Sequence, residues 1–387
     1  MSPPERGFPP SEYAGRLARA QSLMREGGLD GLLLTTEPEI RYFTGFLTRF
    51  WESPTRPWFL LVPAAGAPVA VIPSIGAHLM AQGAIDDVRT WRAPDYSDDG
   101  IGLLTETIRE RLGAAPRIGV PWEMESHLRM PLAGWEALRA ALPHATFGPD
   151  EMIMRRLRLV KSAREIAKIE TACRIAGRAF ARVPEIARAG APLSEVFRRF
   201  QMLCLEEGAD WVPYLAGGAG RDGYGDVISP ASDRPIEHGD VMVLDTGLVH
   251  DGYFCDFDRN FAIGPPSPEA AAAHARLIEA TRVAIEAARP GARAADLFAA
   301  MDDVLTGGAG GAEAGRYGHG LGMQLTEWPS LIAADRTVLE PGMVLTIEPG
   351  IELAPGRIMV HEENIVVTDG AARTLSPISG PDLVVIR

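Results

Sequence analysis

Apolar positions along this chain recur first with a helical period and then with a strand period, and the change of period divides the molecule. From Ser11, "SEYAGRLARAQSLMREGG" repeats apolar residues at intervals of three and four and stops at a glycine pair, which predicts a helix. "LDGLLLTT" reads as a buried strand, and "RPWFLLVPAAGAPVAVIP" as two strands around a turn. "GIGLLTETIRERLGAAPRIGVPW" predicts a helix followed by a strand. This alternation runs to about residue 150 and predicts an α/β domain with a mixed or parallel sheet. The stretch from Asp150 to Gly190 is helical in period and predicts one long segment carrying the chain into a second domain. From Gly239 the texture turns to short apolar strands, interrupted by two helical stretches beginning at Ser267 and Arg293. A sheet covered by helices, of α+β type, is expected there. The domains are expected at residues 1–155 and 156–387.

Charge narrows the range of partners. A net charge of -13 argues against nucleic acid or an anionic membrane. Lys161 and Lys168 are the only lysines among the basic residues, which reflects coding bias rather than function. Cys173, Cys204 and Cys255 are too few and too far apart for a zinc cluster or a disulfide framework. The opening "MSPPERGFPP" has no apolar core of the signal-peptide kind, and no stretch is long and apolar enough to span a bilayer. A cytoplasmic location is expected.

The chemistry concentrates in the second half. "LDTG" carries Asp245, "YFCDFDRNF" carries Asp256, "GHGLGM" carries His319, "LTIEPGI" carries Glu348, and "MVHEENIVVTDG" carries Glu362 and Glu363. Each sits in or beside an apolar strand-like run, so the polar groups are expected to converge on one interior cleft. Buried carboxylates need a cation or several donors to stay charged. An oxygen-rich set with one imidazole suits Mn²⁺, Co²⁺, Fe²⁺ or Zn²⁺ better than a structural zinc cluster.

With these motifs in this order, the chain resembles the pita-bread metallohydrolases of peptidase family M24: methionine aminopeptidase, Xaa-Pro aminopeptidase, prolidase and creatinase. The resemblance runs from "GLDGLLLTTEPEIRYFTGF" through "LVKSAREIAKIETA" to the last strand. It implies a creatinase-like α/β amino-terminal domain, an α+β pita-bread catalytic domain and a site for two divalent metal ions, with Mn²⁺ favoured. It also implies the ligand roles. Asp245 chelates one ion; Asp256, eleven residues on, bridges both; His319 and Glu348 bind the other; Glu362 bridges the pair. A slip of one residue exchanges Glu362 for Glu363, because strand neighbours face opposite sides. Glu348 is the implied proton acceptor, beside a water activated by the metals. The implied activity is that of an Xaa-Pro dipeptidase or aminopeptidase acting on a small peptide, and the implied assembly is a homodimer.

The chain also departs from the family. The Xaa-Pro peptidases carry a histidine where "VISPASDRPIEHGD" has Ser229 or Ile228, and another seven residues after the metal histidine, where this chain has Thr326. Such donors stabilise charge developing in the transition state. Ser229, Thr326, Glu327 and His361 are the available replacements by residue type. The same loss also fits a small non-peptide substrate, as in creatinase or a dimethylsulfoniopropionate lyase of this fold, and a third reading is a non-enzymatic binding module. "GGAGRDGYG" reads as a flexible lid, and the glycines of "GHGLG" as room for backbone to pack around His319. Asp258 is expected to pair with Arg259 or solvent, and Cys255 to face the core. The aromatic group of "RFWESPTRPWF", with Phe50, Trp51 and Trp58, reads as either domain core or a wall of the cleft; the longer run "RYFTGFLTRFWESPTRPWF" offers an aromatic surface suited to a dimer, with Trp51 a specificity candidate at the partner's cleft.

Overall fold

The computed structural model describes the chain apart from residues 1–3, 54–55 and 310–314. Two compact units divide it, one spanning Glu5–Arg158 and the other built on Leu159–Arg387. Among the described residues, no helix is long and apolar enough to cross a membrane.

The first unit is a six-stranded sheet of β1 (Gly31–Leu34), β2 (Phe59–Pro63), β3 (Val69–Pro73), β4 (Asp87–Trp91), β5 (Arg117–Val120) and β6 (Thr146–Pro149), in the order β4-β3-β2-β1-β5-β6. The sheet is mixed: β1, β2 and β3 pair antiparallel, while β4, β5 and β6 join in parallel. Continuous apolar runs such as Leu32–Leu33–Leu34 are buried on both faces, as such a sheet requires. The helix Ile101–Leu112 packs Ile101, Leu104 and Ile108 onto Leu33, Phe59, Leu61 and Val71.

Several aromatic residues of this unit form an inner cluster, although Tyr96 and Trp122 are exposed. Tyr42, Phe43, Phe46, Trp58 and Phe59 are buried. Trp51 packs on Phe46 and Trp58, at ring-centroid distances of 6.3 and 5.4 Å. The Arg129 guanidinium lies 5.2 Å from the Trp51 ring and donates to the carbonyls of Trp51, Ser53 and Arg56. Of the two readings of this run, the core one holds for Trp58, while Phe50 and Trp51 at the edge of the cluster are half-buried.

Glu39 gives this unit its own pH response. Its carboxylate is buried and accepts the Thr36 hydroxyl at 2.7 Å. Burial pushes its pKa up from 4.5 to about 7, with Thr36 and Arg158 only partly offsetting the cost. The folded chain thus keeps a proton that the unfolded chain has released, so stability is full below about pH 4.5 and falls as pH rises to about 7. Glu39→Gln is expected to abolish this slope and to stabilise the unit at pH 8 by up to about 3 kcal/mol. Urea unfolding at pH 5 and pH 8 checks it.

The second unit opens differently from the single long helix expected. The helix Ile153–Leu159 ends, Val160 bridges to Met343, and the Lys161 N–H bonds to the Gly342 carbonyl. A new helix, Ala163–Ala181, starts from a capping box in which Ser162 and Glu165 each satisfy the other's backbone N–H. Two sheets follow. The first joins β7 (Trp211–Arg221), β8 (Asp240–His250), β9 (Tyr253–Phe254), β10 (Phe257–Ile263) and β18 (Val384–Ile386), in the path β18-β10-β8-β7 with β9 on β8. The second runs β12-β11-β13-β16-β17, from β11 (Gly318–Gly320), β12 (Glu327–Ser330), β13 (Val344–Ile347), β16 (Glu363–Val366) and β17 (Arg373–Thr374). The hairpin of β14 (Gly350–Ala354) and β15 (Arg357–Val360) stands apart. The helices Pro268–Ala287 and Ala294–Thr306 share one core with Val241, Val243, Leu345, Ile347 and Ile365, drawn from both sheets.

The glycines of "GGAGR" form strand rather than lid. They belong to β7 and pair with β8. Gly217 runs so close to β8, at φ +154°, that a Cβ would meet the Val243 carbonyl at 2.2 Å.

Candidate metal centre

Asp245 lies mid-way along β8, a strand buried along its whole length, and is flanked by Ala216 of β7 and Asp258 of β10. Asp256 stands in the short link between β9 and β10. His319 is the middle residue of β11, whose neighbour Gly318 comes so near β13 that a Cβ would meet the Thr346 carbonyl at 2.2 Å. Close backbone packing around His319 therefore needs glycine, as the sequence suggested. Glu348 follows β13 directly, and Glu362 precedes β16.

These five side chains meet. Asp245, Asp256 and Glu362 each place a carboxylate oxygen within 4.8 Å of the others. His319 Nε2 lies 3.2 Å from Asp256 Oδ2 and 3.8 Å from Glu348 Oε2. Its other nitrogen, Nδ1, sits 2.8 Å from the Gly320 carbonyl, which can only accept. That contact places the proton on Nδ1 and turns an Nε2 lone pair toward the two carboxylates.

Asp245, Asp256, Glu362 and His319 are at most 4% exposed, and only Glu348 reaches solvent, with 20% of its side chain exposed. Burial pushes the carboxyls of Asp245, Asp256 and Glu362 well above the usual carboxylate range, and repulsion from neighbouring acids adds to it. Asp245 Oδ1, Glu348 Oε2 and Glu362 Oε2 are buried with no hydrogen-bond partner. Orphaned carboxylate oxygens facing an imidazole lone pair lack donors but share a common centre. Divalent cations fit such a donor set.

The neighbours of Glu362 serve a different purpose. Glu363 bonds Arg259 at 3.1 Å, meets His361 Nε2 at 3.3 Å and accepts the Ser379 N–H at 3.0 Å. Although burial opposes it, Arg259 and then His361 and Ser376 hold the Glu363 carboxyl down at about 2. The Arg259 guanidinium donates to the Asp258 backbone carbonyl at 2.5 Å, while the fully buried Asp258 carboxylate accepts the Glu362 N–H at 3.0 Å and faces His361 Nδ1 at 3.5 Å. His361 thus stands between two acids, which raise its pKa against the pull of burial. Cys255 is buried in the core as expected.

The remaining candidates have surroundings of their own. Glu327 is buried against Lys161 at 3.1 Å and accepts the N–H groups of Met323 and Gln324, so it braces the turn after His319. Ser229 closes a turn with Asp226, its hydroxyl donating at 2.7 Å, and Ile228 and Thr326 are exposed. Trp51 belongs to the first unit's aromatic cluster. One neighbour went unread in the sequence. Tyr214 of β7 lies beside the Asp245 carboxyl while its hydroxyl donates to the Val227 carbonyl at 3.0 Å, and burial, then the charges of Asp245, Glu362 and Asp256, drive its pKa up. Nothing in "PYLAGG" marks it, because its position follows from strand pairing alone.

Residues 167–369 match Metallopeptidase family M24. The chain belongs to that family. Residues 16–160 match the Creatinase/Prolidase N-terminal domain. Over 379 residues the chain is 36% identical to the probable dipeptidase PepE of Mycobacterium tuberculosis, covering 95% of each. It is 27% identical over 354 residues to the Xaa-Pro dipeptidase of Pyrococcus horikoshii, covering 90% of this chain and 93% of that one. The solved structure of dipeptidase PepE from Mycobacterium ulcerans superposes with a TM-score of 0.84 at 32% identity, covering 98% of this chain and 99% of that one. An M24 metallohydrolase, with a creatinase-like domain before the pita-bread catalytic domain, thus accounts for the whole chain. Divalent metal is the cofactor class of the family.

Proposed function

We propose that this M24 protein is a dinuclear metal-dependent dipeptidase that hydrolyses Xaa-Pro dipeptides. The convergence of four carboxylates and the His319 lone pair, with three buried oxygens left without donors, carries this reading. Asp245, Asp256, His319, Glu348 and Glu362 are the residues that would hold the ions. When bound, the ions supply an activated water and polarise the scissile carbonyl. Glu348, the one partly exposed acid of the set, accepts the proton of the attacking water and passes it to the leaving amine. The Gly320 carbonyl holds His319 in its working orientation. Mn²⁺, a homodimer and a cytoplasmic location belong to the same proposal; light scattering at micromolar concentration checks the assembly.

A second reading has its own observation. Glu327 and His361 are locked in buried ion pairs and Ser229 closes a turn, so three of the four replacements for the missing histidines are occupied elsewhere. That favours a small non-peptide substrate on the same metal site. The orphaned oxygens weigh against a metal-free binding module. The deciding experiment is turnover by Mn²⁺-loaded protein of an Xaa-Pro dipeptide panel beside amidine, lactam and betaine-like compounds. Turnover of an Xaa-Pro dipeptide is the expected result, and turnover confined to the non-peptide compounds replaces the first reading with the second.

A further inference from the structure

The five candidate ligands come from two sheets, so the site needs a device that keeps the sheets in register. Asp245 lies in β8 and Asp256 in the link that leads into β10, while His319 lies in β11, Glu348 directly after β13 and Glu362 directly before β16 of the other sheet. One fully buried side chain spans the two. Asn364 of β16 lies two residues beyond Glu362 and therefore on the same face of the strand. Its Oδ1 accepts the Asp256 N–H at 2.9 Å, and its Nδ2 donates to the Asp256 carbonyl at 2.5 Å. The second Nδ2 hydrogen goes to Thr346 Oγ1 of β13 at 3.0 Å, and the Asn364 N–H donates to Ser376 Oγ at 2.9 Å. Cys173 Sγ, 3.2 Å from Oδ1, occupies the remaining side.

We propose that Asn364 is a positioning residue that sets Asp256 against Glu362 across the two sheets, an inference that rests on reading their cluster as the metal site. Asp256 lies outside the regular ladder, and Asn364 replaces the missing strand partner by gripping both its N–H and its C=O. A side-chain amide offers an acceptor and two donors on one planar frame. A hydroxyl in its place serves one end of the grip, and a methyl serves neither. Because Glu362 and Asn364 share one short segment, a shift of that segment moves both acids together and preserves their spacing.

The test is Mn²⁺ titration by calorimetry of full-length, chelator-stripped protein, with melting temperatures recorded alongside. Asn364→Ala is expected to weaken Mn²⁺ binding by about 10–100-fold, the usual cost of losing a group that orients a metal ligand. Ser376→Ala, which removes a bond to Asn364 without touching Asp256, is expected to lower the melting temperature yet hold the Mn²⁺ Kd within about 3-fold of wild type. If Asn364→Ala does not fold, Asn364→Ser supplies the same comparison. Wild-type Mn²⁺ affinity in a folded Asn364 variant, with binding lost in Asp256→Ala, overturns the positioning role alone. Wild-type affinity in Asp256→Ala overturns the metal reading itself.

Discussion

Glu362→Gln is expected to lower kcat/KM by at least about 10³-fold, equivalent to roughly 4 kcal/mol of transition-state stabilisation, and to release bound metal. The neighbouring change, Glu363→Gln, is expected to do the opposite: metal content per folded chain is retained while stability falls by about 3 kcal/mol, the cost of breaking a buried ion network from one side. The contrast follows from where the two carboxylates point. Glu362 lies with Asp245 and Asp256 and keeps an orphaned Oε2. Glu363 is saturated by Arg259, His361, Ser376 and the Ser379 N–H. Metal analysis and steady-state kinetics on the two variants, with urea unfolding of each, measure both halves. Metal loss from Glu363→Gln and retention in Glu362→Gln would sink the assignment.

Chelator-stripped protein is expected to lose turnover and to regain it with Mn²⁺, and its stability is expected to depend on pH in a direction the site dictates. Without cations, burial and mutual repulsion raise the carboxyls of Asp245, Asp256 and Glu362 well above their unfolded values. The folded chain then binds more protons than the unfolded one. Stability is complete below the ordinary carboxylate range and is lost as pH rises through the raised folded values. Cations reverse this, because they bind the ionised acids and compete with protons. The rise in melting temperature on adding Mn²⁺ is therefore expected to be small at pH 5 and to reach about 10 °C at pH 8, near 1,000 times the Kd. Scanning calorimetry at pH 5, 6.5 and 8 checks it. An equal increment at all three pH values would show that these acids are not where the metal binds.

Much of this was legible in the chain. Helix starts and strand runs followed from local periodicity: the helix predicted from Ser11 spans Pro10–Gly27, and the paired runs of "RPWFLLVPAAGAPVAVIP" are β2 and β3. The exceptions have local causes of their own. Ser162 and Glu165 cap a new helix inside a pattern whose period suggested an unbroken one. "GGAGR" lacks side chains for a strand signal but is held as one by the length of β8 beside it.

The sequence by itself determined the residue types of the candidate site, their order, and the membership in family M24 that such an order implies. Those properties are carried by short motifs, each read without knowing where the others lie. The tertiary structure alone decided which way each acid faces. Glu362 turns to Asp245 and Asp256 and Glu363 to Arg259 and His361, with the Glu362 N–H taken by Asp258, 104 residues away. His361 fills the space between Asp258 and Glu363 instead of reaching a substrate, and Asn364 grips Asp256 from 108 residues away. Facing depends on register between strands far apart in the chain, and a period of two leaves both choices open until the sheets pack. Trp51 shows the same limit at domain scale: an aromatic run is apolar wherever it lies, and only packing against Phe46, Trp58 and Arg129 decided that it is half-buried.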